Sequence, residues 1–182
     1  MKKFVTTCVV ALFLVFCAGA AFAASVAITS IGQTSDGMMA KMLMKKMNME
    51  ADYEALMTTA ALQDQKVLIA VVGGSSKGLG AAGIDQAQET ARGLALLEDA
   101  KKKGIKILIM HIGGDRRRGD LSDAFINAVT GLGDKVIVVK SGNADGIFGK
   151  VKAKGADLVE VDTVQATVAP LKETFAVWGV SQ

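Results

Sequence analysis

The sequence predicts a single doubly wound α/β domain, with a mostly parallel sheet of five to six strands in flavodoxin-like order. Three observations lead there. Short apolar runs rich in Val and Ile alternate with helical patterns along the chain. Several of those runs are continuous rather than every-other-residue, as strands buried on both faces are. The links from helix to strand are terse and those from strand to helix are long and polar, which is how βαβ units are joined around a parallel sheet.

The first 23 residues stand apart from this pattern. Lys2 and Lys3 precede an apolar stretch from Phe4 to Phe16, and small residues then lead to Ala21-Phe22-Ala23. This order is that of a secretory signal peptide cut after Ala23, and it lacks the roughly 20 apolar residues of a membrane span. Phe16 before Cys17 and Thr7 before Cys8 do not fit a lipidation site. The expected division is therefore a signal peptide at 1–23 and one domain at 24–182, periplasmic or extracellular. Cys8 and Cys17 would leave with the signal. The mature chain would then have no disulfide, no disulfide-linked partner, no thiolate nucleophile and no cysteine metal ligand.

Charge excludes another class. Of 21 Lys and Arg against 18 Asp and Glu, Lys2 and Lys3 lie in the signal, so the formal net charge falls from +3 to +1. A nucleic-acid partner would require a net basic domain with a concentrated basic face. At 51% hydrophobic residues the chain has ample material for a core.

Element by element, strands are expected at Val26–Thr29, Tyr53–Leu56, Val67–Val72, Ile105–Ile112, Val136–Val139 and Leu158–Val161, the second being the weakest. Helices are expected at Gly37–Met49, Gln86–Lys103, Leu121–Val129 and Ile147–Lys154. Asp85 and Gln88 form a capping box for the second, Glu98 and Lys102 an i,i+4 pair, and Lys101 to Lys103 followed by Gly104 suit its end. The segment Thr163–Trp178 reads as helical with a restart at Pro170, which belongs in a first helical turn.

The strand-to-helix links hold the chemistry. Residues 30–36, 73–85, 113–120 and 140–145 all fall at the carboxyl edge of the sheet, where open α/β folds bind ligands. The second is about twice the usual two to six residues of such a loop, and the glycines place its helix start only after Gly83 and Asp85. Val72-Gly73-Gly74-Ser75 and Ile112-Gly113-Gly114-Asp115 are near copies, and glycine lets backbone approach a bound group closely. The alternative is that these glycines serve tight turns only.

Gly74-Ser75-Ser76-Lys77-Gly78 offers amides, two hydroxyls and an ammonium to an anion, or else is a solvated loop. It is not a Walker A loop, since the residues around Lys77 are out of register. Nor is it a dehydrogenase fingerprint: Tyr53, the only tyrosine, precedes the loop and has no lysine four residues on. No cofactor is expected. Arg116, Arg117 and Arg118 are the densest charge after the signal; such a run is commonly a solvated face, and if functional it turns one guanidinium inward onto a carboxylate or phosphate. His111, without a second histidine or a cysteine, cannot build an ordinary transition-metal site and reads as structural. Met38, Met39, Met42, Met44, Met47 and Met49 crowd one helix. They spread over several faces, so one metal cannot reach all six, and the expected role is adaptable core filling rather than copper(I) binding. No metal site is expected.

The runs Ile28-Thr29-Ser30-Ile31-Gly32-Gln33, Gly73 through Gly83, Met110-His111-Ile112-Gly113-Gly114 and Val139-Lys140-Ser141-Gly142 resemble a family of exported bacterial proteins built on a domain of unknown function. The resemblance spans essentially the whole chain after Ala23 and implies export and a shared site, without an activity. The functional expectation is a small-molecule binding domain for an anionic carboxylate or phosphate ligand. Its residues are Gln33, Gly74, Ser75, Ser76, Lys77, Gly78, His111, Gly114, Arg116, Arg117, Arg118 and Ser141. The alternatives are a hydrolase of a small anionic substrate, with His111, Asp115 and Ser75 as candidates, and an accessory protein docking on a membrane transporter.

Overall fold

The computed structural model of the protein describes residues 24–149 and 155–180. Six strands form one sheet: β1 Val26–Ile31, β2 Asp52–Tyr53, β3 Val67–Val72, β4 Lys106–His111, β5 Lys135–Val139 and β6 Asp157–Val161. Their order is β2-β1-β3-β4-β5-β6 and every pairing is parallel. This is the flavodoxin-like order with a sixth strand added after β5. The direction of travel reverses between β1 and β3, because the chain leaves β1 for β2 on one side and returns for β3 on the other.

Successive side chains of a strand point to opposite faces, and here both faces are covered. On one face Ala27, Leu68, Ala70, Ile107, Ile109, Val136 and Val138 pack with Leu96, Leu97 and Ala100 of α3 (Gln86–Lys102) and Phe125, Ile126 and Val129 of α4 (Asp120–Val129). On the other, Val26, Ile28, Ile69, Leu108, Met110 and Ile137 pack with Ala40, Leu43 and Met44 of α1 (Asp36–Lys46) and Leu171 and Phe175 of α5 (Val168–Val177). That double cover is why β1 and β3 are buried at every residue, as their unbroken apolar runs required. Burial then falls away to β6, which has no fully buried residue. No helix among the described residues is long and apolar enough to cross a membrane.

Three departures from the sequence reading have physical causes. β2 is only two residues, shifted to Asp52–Tyr53, because nothing pairs with β1 beyond Ala27 and Ile28 on that side. The link 73–85 contains an unexpected helix, α2 (Ser76–Ala82), whose first turn is capped by the Ser75 hydroxyl accepting from the Gly78 amide at 3.0 Å and whose end is closed by Gly83 at φ +68°. The helix expected at Gly37–Met49 ends at Lys46, and its six methionines divide: Met44, Met47 and Met49 are buried, whereas Met38, Met39 and Met42 are exposed, so core filling accounts for only half of them. Of the helix expected at Ile147–Lys154, residues 150–154 lie outside the described residues, as does the segment 1–23 expected to be a signal peptide. The expected capping box of α3 is present, with reciprocal bonds of 2.8 and 2.9 Å between Asp85 and Gln88. α5 restarts after a short 3-10 turn and carries Pro170 in its first turn.

Candidate functional site

The carboxyl ends of β1 and β3 flank the point where the strand order reverses, and their loops meet there directly. Gly32 turns with φ +91°, and a Cβ on it would lie 2.5 Å from the Gly73 carbonyl oxygen and 2.7 Å from Phe125. Gln33 (φ +55°) forms a backbone bridge with Gly74, and the Ser75 amide donates to the Gly32 carbonyl at 2.8 Å. The Gly74 amide donates to the Ser122 hydroxyl at 2.8 Å. Here the close approach that glycine permits is between loop and loop, so the reversal point is filled by the protein's own backbone.

A buried carboxylate lies beneath these loops. Glu89, fully buried in the first turn of α3, accepts from the Gly32 amide at 2.9 Å, the Gln33 side-chain amide at 2.9 Å and two nitrogens of Arg92 at 2.7 and 2.8 Å. Arg92 also donates to the carbonyls of Ser30 and Met57 at 2.6 and 2.8 Å. A charge at zero exposure is tolerable only when paired and fully hydrogen-bonded, and this one is. The sequence reading missed this pair. The signal was there: Glu89 shares the stripe of Gly93, Leu96, Leu97 and Ala100, all buried on α3.

His111 at the end of β4 is fully buried. Its Nδ1 lies 2.9 Å from the Val72 carbonyl and its Nε2 3.2 Å from the Gly114 carbonyl, with the ring tilted against Phe148 at 5.5 Å. It thus ties the end of β3 to the turn after β4. A Cβ on Gly142 would lie 2.7 Å from its ring, and one on Gly114 (φ +63°) 2.6 Å from the Ser141 hydroxyl. Ser141 in turn accepts from the Asp115 amide at 3.2 Å.

The three consecutive arginines have three different environments. Arg118 uses all its donors: Nε and Nη2 to Asp123 at 2.6 and 3.0 Å, Nη1 to the Gly142 carbonyl at 2.6 Å and to Asp145 at 3.0 Å, and Nη2 to Asp145 at 2.8 Å. These charge-assisted bonds hold the guanidinium more firmly protonated than usual and, through it, lower the pKa of Asp123. They also hold the Asp145 carboxyl well below the usual carboxylate range. Arg117 is half-buried, with a 3.1 Å bond from Nη2 to the Ser35 hydroxyl and a loose 3.5 Å contact from Nε to Asp36. The other oxygen of Asp36 is buried and has no partner. Arg116 is exposed.

The predicted residues therefore separate. Gln33, Gly74, Ser75, Gly78, His111, Gly114 and Arg118 are occupied in holding the four loops to one another. Ser76 and Lys77 on α2 and Arg116 are exposed at the same edge, while Arg117 and Ser141 are partly open there and also link loops, through Ser35 and the Asp115 amide.

The sequence matches the family described as a domain of unknown function, DUF6305, over residues 23–175. The chain belongs to that family. No characterised protein matches it by sequence. Among solved structures, AlinE4, an SGNH-hydrolase family esterase, covers 85% of this chain and 91% of its own at 13% identity, with a TM-score of 0.33. A serine mutant of the same esterase covers 82% and 80% at 14% identity, with a TM-score of 0.31. A likeness so distant transfers neither residues nor chemistry to this member of the family.

Proposed function

We propose that the protein is an exported binding domain that takes up a small carboxylate or phosphate ligand at the carboxyl edge of its sheet, on Arg116, Arg117 and Lys77. The observation that carries this is the division of labour among the arginines. Arg118 spends every donor fixing the turn after β4 to α4 and to the turn after β5, and the turn so fixed leaves Arg116 exposed and Arg117 half-buried beside Ser35 and Asp36. Arg117 keeps one neutral bond of 3.1 Å to the Ser35 hydroxyl and a loose 3.5 Å contact with Asp36, which leaves most of its donors open to a ligand. A rigid turn offering two guanidinium groups suits bidentate recognition of an acid group, with the Ser76 and Ser141 hydroxyls at its margin.

Binding is favoured over hydrolysis by the state of the candidate catalytic groups. His111 is buried with both ring nitrogens facing carbonyls, and Ser75 accepts from the Gly78 amide to cap α2. A general base must reach the proton it abstracts, and neither group is placed to act on a substrate or on the other.

Calorimetry of the purified protein against a panel of dicarboxylates and phosphate monoesters tests the proposal. Saturable binding is expected. Arg116→Gln, Arg117→Gln and Lys77→Ala should each weaken it by roughly 1.5–3 kcal/mol per charged hydrogen bond lost, and their combination should be less than additive because they share one ligand. Unchanged affinity in all three variants would remove the anion site.

A further inference from the structure

We propose that Met38, Met39 and Met42 form a thioether site for a soft monovalent ion, copper(I), on the exposed face of α1. Their exposure is the starting point: 47%, 42% and 59% of each residue is in solvent, while Met44, Met47 and Met49 on the same stretch are buried. Three large apolar side chains left about half in water on one helix face gain little from the core.

Helix geometry brings the three together. At about 100° per residue, Met38 and Met42 are separated by roughly 40° and Met39 and Met42 by roughly 60°, so all three lie within an arc of about 100°. Neighbours at i,i+3 and i,i+4 have Cβ atoms about 5–6 Å apart. Each methionine has three rotatable side-chain bonds beyond that. Three sulfurs can thus converge above the helix on one ion without moving its backbone. The six methionines together could not, which is why the division between buried and exposed matters.

Donor chemistry selects the ion. Thioethers are soft, neutral ligands that favour copper(I) and bind zinc, calcium or magnesium poorly. Among the described residues no group of three His, Cys, Asp or Glu side chains is placed to hold a metal, so no harder donor set competes. Lys41, Lys45 and Lys46 flank the methionines and are exposed; their charges oppose any cation, and a divalent ion about twice as strongly as a monovalent one. Beside them is a groove of about 650 Å³ that Met38 and Met42 line, together with Lys45 and Met49 among others, while Met39 stands outside it. Because a thioether binds without releasing a proton, affinity should not change between about pH 5 and 8, unlike a site built on histidine or cysteine.

The test is an anaerobic titration of the purified protein with copper(I) against a chromogenic chelator. It is run in parallel with silver(I), a redox-inert stand-in, using methionine methyl NMR. The expected result is one equivalent bound with the same affinity at pH 5.5 and 7.5, moving the methyl signals of Met38, Met39 and Met42 and leaving those of Met44 and Met47 in place. The triple variant Met38→Leu, Met39→Leu and Met42→Leu keeps volume and apolar surface but has no sulfur at these positions. It should lose the binding and keep its unfolding midpoint. Binding that survives in that variant, binding that moves only the buried methyls, or failure of the wild type to compete with the chelator would each overturn the site. A partner protein or membrane retained equally by wild type and triple variant, with no ion bound by either, would make this face a docking surface and likewise overturn it.

Discussion

Arg118 joins its own turn to the start of α4, five residues on, and to the turn after β5, 24 to 27 residues on, so its loss should be felt beyond its own position. Arg118→Gln leaves the Gly142 carbonyl and Asp123 without their main donor and should destabilise the protein by roughly 1.5–3 kcal/mol, with Asp145 adding little because solvent screens it. Urea unfolding at pH 7 measures this. The same cluster sets an acid limit. Both carboxylates are lowered in pKa by Arg118, so their contribution is fully present above the ordinary carboxylate value of about 4 and fades as pH falls below it toward the folded values. Unfolding midpoints taken from pH 7 to pH 2.5 should drop in that window in the wild type, and by less in Arg118→Gln. The sequence marked all three arginines but not their roles. Gly114–Arg117 is a 3-10 turn with about three residues per revolution, so consecutive side chains there leave in different directions. Which one finds Asp123 and Asp145 depends on a turn type that no local pattern announced.

At the scale of elements, the long apolar runs were legible and the glycine-rich links were not. β3 falls where expected, and β1, β4, β5 and β6 lie within two residues of the expected bounds, because continuous β-branched runs have few other uses. α2 went unseen, since Ser76-Lys77-Gly78-Leu79-Gly80 contains two glycines, each costing a helix about 1 kcal/mol relative to alanine. Tertiary contacts override that cost: Leu79 packs into the core, and a Cβ on Gly78 would run into the Gln33 carbonyl, so this glycine permits the helix to dock. Gly80 has no such duty. Nothing lies within 4 Å of a Cβ built there, and Gly80→Ala should stabilise the protein by about 0.5–1 kcal/mol. A fall in the thermal midpoint of that variant would mean that the helix is not formed in solution. The buried Glu89 and Arg92 were hidden for the opposite reason. An i,i+3 acid-base pair on a helix is ordinary on a surface, and only the end of β1 with its loop and the segment after β2 make it internal.

For the molecule as a whole, the alternation of strands and helices was enough to reach the sheet order. It was not enough to reach the closure of the reversal point, which depends on two loops meeting through Gln33 and Gly74, 41 residues apart. The decline in burial from β3 to the edges has a consequence in time. Amide hydrogens at the centre can exchange with solvent only when the whole structure opens, whereas those at an edge exchange through local openings of lower free energy. Deuterium uptake should therefore be slowest in Leu68–Val71 and Ile107–Met110 and fastest in β2 and β6, by several orders of magnitude; uniform rates across the sheet would contradict the gradient. Two clocks then run in one molecule. The amides of β3 report the free energy of opening the whole structure, and those of β6 report the smaller cost of freeing one margin of the sheet while the rest holds.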